Sequence, residues 1–94
     1  MTYRLKFLPS ALKEWRKMDA DLREAFRKKL AERLETPEVV SARLRNHPDC
    51  YKIKLRAAGW RLVYRVIADE VVIVVVAVGR RDRIYRLLDR RASD

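Results

Sequence analysis

Between Cys50 and Ile67 the chain sets basic and apolar residues on alternate positions, a spacing that gathers cations on one surface. In Cys50 to Arg56 the positions Tyr51, Ile53 and Leu55 are apolar, and Lys52, Lys54 and Arg56 are basic. From Trp60 onward, Trp60, Leu62, Tyr64 and Val66 suit a core, while Arg61, Val63 and Arg65 point the other way. Side chains alternate between the faces of a strand. A hairpin that buries both apolar sets on one side must therefore crowd Lys52, Lys54, Arg56, Arg61 and Arg65 together on the other. Like charges facing each other across strands cost a few tenths to about 1 kcal/mol per pair, which a fold accepts most readily when the cluster has a ligand. Arg80, Arg81 and Arg83 follow the next apolar run, where a loop can aim them back at the patch. A single basic residue on a strand usually lines a solvated face or discourages edge pairing. Five on one face with three more at its rim point instead to nucleic acid.

What the patch can do is narrowed by what the chain lacks. Its one histidine, His47, sits in a polar connection, so a histidine acid–base pair is ruled out. No Cys/His spacing suits zinc, and the basic face carries no carboxylate pair for magnesium or for general acid–base work. Two glycines leave no room for a phosphate-binding loop. With neither metal nor cofactor, RNA cleavage would have to proceed by attack of the 2′-OH on its own phosphate. That needs a proton acceptor at the 2′-OH, charge stabilisation on the transition state, and stabilisation or protonation of the leaving 5′-oxygen. A lysine among other cations has its pKa pushed down and can serve as the base. Arginines clamp phosphate oxygens bidentately, and tyrosine can stack on a base.

The elements that must position these groups follow from periodicity. Tyr3 to Phe7 alternates apolar and basic and predicts a strand. Pro9 and Ser10 open a helix, with serine as its expected cap, and Leu12 and Trp15 share its apolar face. Asp19 or Asp21 restarts the chain, and Asp21 with Glu24 has capping-box spacing for a second helix, along which Leu22, Phe26, Leu30 and Leu34 draw one apolar stripe before Thr36-Pro37 ends it. Barely three residues join the two helices, which predicts an antiparallel hairpin. A polar connection (Ser41 to Asp49) leads to strands over Cys50–Arg56, Trp60–Ile67 and Val71–Val78, the last apolar on both faces and so expected to be central. A short terminal helix is expected over Asp82 to Arg91, with Ile84, Leu87 and Leu88 on one side. The order β-α-α-β-β-β(-α) predicts an α+β domain, its helical hairpin packed on one face of a mostly antiparallel four-stranded sheet.

The 94 residues fit one domain spanning 1–94, and a net charge of +10 is unevenly spread over it. Residues 1–40 hold ten bases and seven acids; residues 41–94 hold thirteen bases and six acids. A near-balanced front half and a basic back half suggest a scaffold followed by an anion-binding surface, for nucleic acid, an acidic membrane or an acidic protein. A lone cysteine, Cys50, and a charged start in place of a signal-like one predict a cytoplasmic location. No apolar run reaches the roughly 20 residues needed to span a bilayer.

Four segments carry a resemblance. Ala11-Leu12-Lys13-Glu14-Trp15-Arg16-Lys17, Pro48-Asp49-Cys50-Tyr51-Lys52-Ile53-Lys54-Leu55-Arg56, Gly59-Trp60-Arg61-Leu62-Val63-Tyr64 and Val78-Gly79-Arg80-Arg81 resemble the RelE toxins in order and spacing, from about residue 2 to residue 83. The resemblance implies a toxin that enters the ribosomal A site, against 16S rRNA, and cleaves the mRNA there. It also implies a RelB-type antitoxin that neutralises the toxin, with operator DNA bound only through the toxin–antitoxin complex. The family's catalytic lysines match Lys52 and Lys54, and its arginines match Arg61 and Arg81. Lys54 is then the candidate base, and Lys52 and Arg61 hold the scissile phosphate. Arg81 stabilises the leaving group, since guanidinium holds its proton too tightly to be an easy donor. Arg45, Arg56, Arg65, Arg80 and Arg83 are expected to contact RNA. The family's active-site tyrosine lies several residues beyond the position of Arg81, whereas Tyr85 follows after only four. A two-residue shift turns a helical side chain by about 200°, so Tyr85 either stacks on the mRNA base or joins the core beside Ile84 and Leu88. Two other readings share the basic face: a ParE-type inhibitor of DNA gyrase, and a docking module without catalysis. The antitoxin is expected to wrap an acidic or amphipathic helical segment around the basic surface or the sheet and displace the terminal helix.

Overall fold

Proline's fixed φ suits the first position of a helix, and Pro9 does start one. The structure, a computed structural model describing residues 2–92, runs this helix (α1) over Pro9–Lys17. Ser10 lies inside the first turn and does not cap it; the cap position belongs to Leu8, whose side chain has no polar group to offer. The second helix (α2) spans Ala20–Glu35, and here too the expected capping box is absent. Asp19 takes the cap position without a side-chain hydrogen bond, leaving Asp21 in the first turn, where its charge complements the helix dipole. Arg23 closes the hairpin by donating from Nη1 to the Arg16 and Met18 carbonyls (3.0 and 2.8 Å), which the end of α1 leaves without helical partners. The predicted stripe is buried at its centre, at Phe26 and Leu30, with Leu22 and Leu34 half-buried at either end.

Four strands follow the expected order: β1 (Arg4–Phe7), β2 (Cys50–Leu55), β3 (Trp60–Ile67) and β4 (Val72–Arg80), arranged β1-β4-β3-β2 in one sheet. The doubly apolar strand β4 is central, as its composition requires. β2–β3 and β3–β4 are antiparallel and β1–β4 is parallel, so the sheet is mixed. Val71, read above as the first residue of the last strand, instead turns the chain into it with φ 55°, a strained value for a β-branched residue. A third helix (α3) occupies Ile84–Ala92.

Two cores sandwich the sheet. On one face Tyr51, Ile53, Leu62, Tyr64, Ile73, Val75 and Val78 pack against Ala11, Met18, Phe26 and Leu30 of the hairpin. On the other, Cys50, Val63, Val76 and Ala77 lie beneath Ile84 and Leu88 of α3. A bulge opposite Val63/Tyr64 lets consecutive residues Val76 and Ala77 face the same way. Its consequence is a change of parity, which sends Gly79 to the α3 face and Arg80 to the hairpin face.

Two stretches of strand edge are partly covered, that of β4 beyond β1 and the Tyr51–Lys52 part of β2. β1 ends opposite Val75, which leaves the rest of β4 without a neighbour on that side. There Glu14 accepts the Val78 N–H (3.1 Å), and Arg91 donates to the Val76 carbonyl (2.8 Å) and to both oxygens of Glu14 (3.0 and 2.8 Å). On the β2 edge, Arg33 donates to the Lys52 carbonyl (3.2 Å), and the connection expected to be plain polar chain bridges Arg43 to Tyr51. These contacts occupy ladder groups that would otherwise recruit another strand.

Candidate active site

Register decides which cations meet. Lys54 stands directly opposite Arg61 across the β2–β3 hairpin, and Lys52 stands opposite Val63, all on the face away from the helical hairpin. Direct opposition holds Cβ atoms about 5 Å apart. Arg61 is only 8% exposed, and its Nη1 donates to the Trp60 carbonyl (3.1 Å), a neutral acceptor that leaves its charge uncompensated. Among the described residues no carboxylate pairs with Lys52, Lys54, Arg56 or Arg61. The Lys54 ammonium consequently has its pKa pushed below the ordinary lysine range, chiefly by the charge of Lys52, then by partial desolvation, Arg56 and Arg61. A lysine whose proton is loosened by neighbouring cations suits proton abstraction, and the surrounding cations suit a phosphate.

The rest of the expected set divides. Arg81 lies one step past the end of β4; its amide donates to the Gly59 carbonyl (2.9 Å), which pins it beside the β2–β3 turn at the Lys54–Arg61 end of the sheet with an exposed side chain. Gly59 itself takes φ +69°, a conformation that glycine adopts without penalty. Tyr85 is not core: in the first turn of α3 it is 41% exposed, while its neighbours Ile84 and Leu88 are buried. It shares a hollow of about 380 Å³ with Arg43, Arg45, His47, Lys52 and Asp89. Arg45 and Tyr85 therefore flank Lys52 on one side, and Arg56 continues the line past Lys54 on the other.

Three arginines expected at the patch, Arg65, Arg80 and Arg83, lie outside it. Arg65 shares the face of Arg61 but stands four residues along the strand, roughly 13 Å away, beyond Val63 buried under α3. Its guanidinium lies 3.3 Å from Asp49, so it is a neutralised cation outside the cluster. Arg80 is opposite Trp60, which packs on the hairpin side, and with Arg83 it lines a different hollow beside Glu14 and Lys17. The bulge in β4, invisible in a strand apolar on both faces, is the cause for Arg80. Sequence reasoning in turn passed over Lys29 and Arg33, whose i,i+4 spacing on α2 places both beside Lys52 and Lys54. His47, in the polar connection, meets Asp89 of α3 (Nε2 to Oδ1, 3.1 Å) and ties the loop before β2 to that helix.

A helical hairpin and a terminal helix thus sandwich a four-stranded sheet that carries a cation cluster on one hairpin of strands. The ParE toxin family of type II toxin–antitoxin systems (parDE) matches residues 5–85, and the chain belongs to it. It is 54% identical over 83 residues to the mRNA interferase toxin RelE of Escherichia coli K12, covering 88% of this chain and 87% of that one. Its structure resembles a free-state mutant of the E. coli toxin RelE with a TM-score of 0.90 at 46% identity, over 99% of this chain and 97% of that one. It also resembles the toxin in the intact E. coli RelBE toxin–antitoxin complex, with a TM-score of 0.81 at 54% identity, over 83% of this chain and 95% of that one.

Proposed function

We propose that this chain is the toxin of a type II toxin–antitoxin system and a ribosome-dependent endoribonuclease, cutting mRNA in the A site by metal-independent attack of the 2′-OH. The observation that carries the reading is the Lys54–Arg61 pair: a lysine of lowered pKa directly opposite a buried arginine, with Lys52 adjacent and no neutralising carboxylate among the described residues. Lys54 takes the 2′-OH proton, and Lys52 and Arg61 hold the scissile phosphate. Arg81 stabilises the charge that develops on the leaving 5′-oxygen. Tyr85, exposed beside Arg45 and Lys52, stacks on a base of the message. The 54% identity to an mRNA interferase supports the same chemistry.

The partners follow from the same relatives. A RelB-type antitoxin neutralises the toxin, a reading supported by the solved E. coli RelBE toxin–antitoxin complex, and operator DNA is bound only through such a pairing. Acidic or amphipathic antitoxin helix would compete with α3 for the face that carries the cluster. The work is cytoplasmic, where ribosomes are; among the described residues no helix is long and apolar enough to cross a membrane. One observation favours a second reading, a gyrase inhibitor: the family match is to ParE toxins. An inhibitor that performs no cleavage has no need of a lysine and arginines converging on one phosphate-sized site, and we prefer the nuclease.

The test is cleavage of a defined mRNA, once free and once in ribosomes with an open A site, with the new 5′ ends mapped. Cutting only in the ribosome, at one codon position, is expected. Folded protein that cuts in neither setting would leave the basic face a docking surface or move the weight to gyrase.

A further inference from the structure

The hollow holding Tyr85 is not the only one that Lys52 borders. A second, of about 350 Å³, lies over the free edge of β2 and is lined by Lys29, Arg33, Ser41, Ala42, Lys52, Lys54 and Arg56. Five of these side chains are cations, and among the described residues none has a carboxylate partner. Arg33 is held by neutral acceptors, the Lys52 carbonyl (3.2 Å) and the Tyr64 hydroxyl (2.9 Å), with its guanidinium 5.8 Å from the Tyr64 ring centroid. It is therefore a fixed charge, while Lys29 and Arg56 are exposed and able to reach a ligand.

The backbone adds donors. In an antiparallel ladder each residue turns both its N–H and its carbonyl the same way, and residues two apart agree. The Lys52 carbonyl faces outward to Arg33, so the Lys54 N–H also faces out of the sheet, into this hollow. The Ser41 hydroxyl lines the same wall. Ammonium, guanidinium, hydroxyl and amide donors around one concave site are what a phosphodiester accepts from.

Spacing chooses between an isolated anion and a strand. Lys52 and Lys54 succeed one another at a two-residue step along β2, about 6.7 Å, close to the separation of successive phosphates in an extended nucleic acid strand, and Arg56 follows at the start of the β2–β3 turn. The two hollows meet at Lys52, so the track is continuous from Tyr85 past Lys54 to Arg56 and Lys29.

We infer that Lys29 and Ser41, with Arg56 and the Lys54 amide, form a second phosphate subsite that seats the message strand one or two nucleotides from the scissile bond, on the side away from Tyr85. The inference rests on the nuclease reading for the identity of that strand. The subsite holds the strand straight as it enters the Lys54–Arg61 site, so the 2′-OH is presented in line with its phosphate.

The experiment measures affinity of the full chain for ribosomes carrying a message that is 2′-deoxy at the cut, which makes the result independent of turnover. Lys29→Ala and its exposed helical neighbour Lys28→Ala, which lies outside the hollow, are compared on the all-phosphate message. They are then compared on messages with a single neutral methylphosphonate at each of the two linkages on either side of the cut. The expected result is a loss of roughly five- to tenfold for Lys29→Ala and none for Lys28→Ala. At one of those linkages the methylphosphonate should cost wild type a similar factor and Lys29→Ala nothing further. Penalties that add at every linkage would overturn the inference and move Lys29 to a ribosomal RNA contact. Unchanged ribosome affinity with weakened binding of an acidic antitoxin peptide would overturn it in favour of a protein occupant. Cleavage of an all-ribose message by wild type, run alongside, tests the nuclease reading separately.

Discussion

Lys54 and Arg61 face each other directly across β2 and β3, and the arginine is the more deeply buried of the two. Two cations in register repel, and the fold provides no carboxylate to separate them among the described residues. The arginine cannot relieve the repulsion by losing its proton, because guanidinium stays charged at any ordinary pH. The lysine can, and its pKa is lowered accordingly. The non-titrating cation lies inside and the titrating one at the surface, which is the arrangement that the proposed role of Lys54 as base requires.

This arrangement predicts the pH dependence. Cleavage should rise with pH while Lys54 is still protonated and level off below the ordinary lysine value of 10.5. Lys52 is the largest cause of the shift, so Lys52→Ala should move the break in log kcat upward as well as slowing the reaction. The sign for stability is the same: the folded state gives up the proton more readily than the unfolded one, so this group's contribution grows as pH rises through the lowered pKa. A break unmoved by Lys52→Ala would show that another group is titrating.

Arg81 and Arg80 are adjacent in sequence but belong to different faces, and their variants should separate. Arg81→Ala should lower kcat by about 10²- to 10³-fold with ribosome affinity nearly unchanged. Arg80→Ala, beside Trp60 on the hairpin side, should leave kcat within about threefold of wild type, as a distant surface charge does. Equal, modest losses in both would instead indicate a docking surface. Single-turnover cleavage and ribosome co-sedimentation read the two quantities.

The Glu14–Arg91 pair should matter to stability, being only 24% and 18% exposed and bonded to the open edge of β4. Glu14→Ala strands the Val78 N–H and leaves the Arg91 guanidinium with only the Val76 carbonyl, a loss of about 2 kcal/mol. For a domain this size that lowers Tm by roughly 8–16 °C. Arg27→Ala, which breaks an exposed 3.7 Å pair with Glu24, should change stability by less than about 0.5 kcal/mol. Urea unfolding of both variants measures the contrast, and loss of hydrogen-exchange protection in α3 of Glu14→Ala would show that the pair holds that helix down.

Cys50 should be inert. It is fully buried, and burial, with Asp49 beside it, pushes its thiol up to about 11 from an ordinary 9.0. Because the thiolate is the nucleophile, that shift alone slows alkylation near pH 8 by roughly 100-fold. Iodoacetamide should label the denatured chain readily and the native chain only as it opens; rapid native labelling would show that the α3 side of the core is loose.

The strands and helices were legible because their apolar residues recur at two-residue and four-residue intervals, and the paired basic positions of β2 and β3 followed from alternation alone. Cap details were not. Ser10 and Asp21 have the right side chains, but whether they cap depends on where the chain enters the helix, and both helices start two residues earlier than those caps require. The bulge before Ala77 was hidden because valines suit both faces of β4 equally, and it moved Arg80 off the site. Arg65 was misplaced because parity fixes a face but not a distance, and Asp49, which neutralises it, lies outside the alternating run. Tyr85 was open between stack and core until the turn of α3 put Ile84 and Leu88 inward and left Tyr85 exposed.

The most direct test of the account is a message carrying a single 2′-deoxy substitution at the nucleotide 5′ of the mapped cut, programmed into ribosomes with an open A site. Attack by the 2′-OH predicts that this message binds the toxin and is not cut. The unsubstituted message should yield an upstream fragment ending in a 2′,3′-cyclic phosphate. Cleavage of the deoxy message at a comparable rate would mean that water, not the ribose, is the nucleophile. The roles assigned to Lys54, Arg61 and Arg81 would then be wrong.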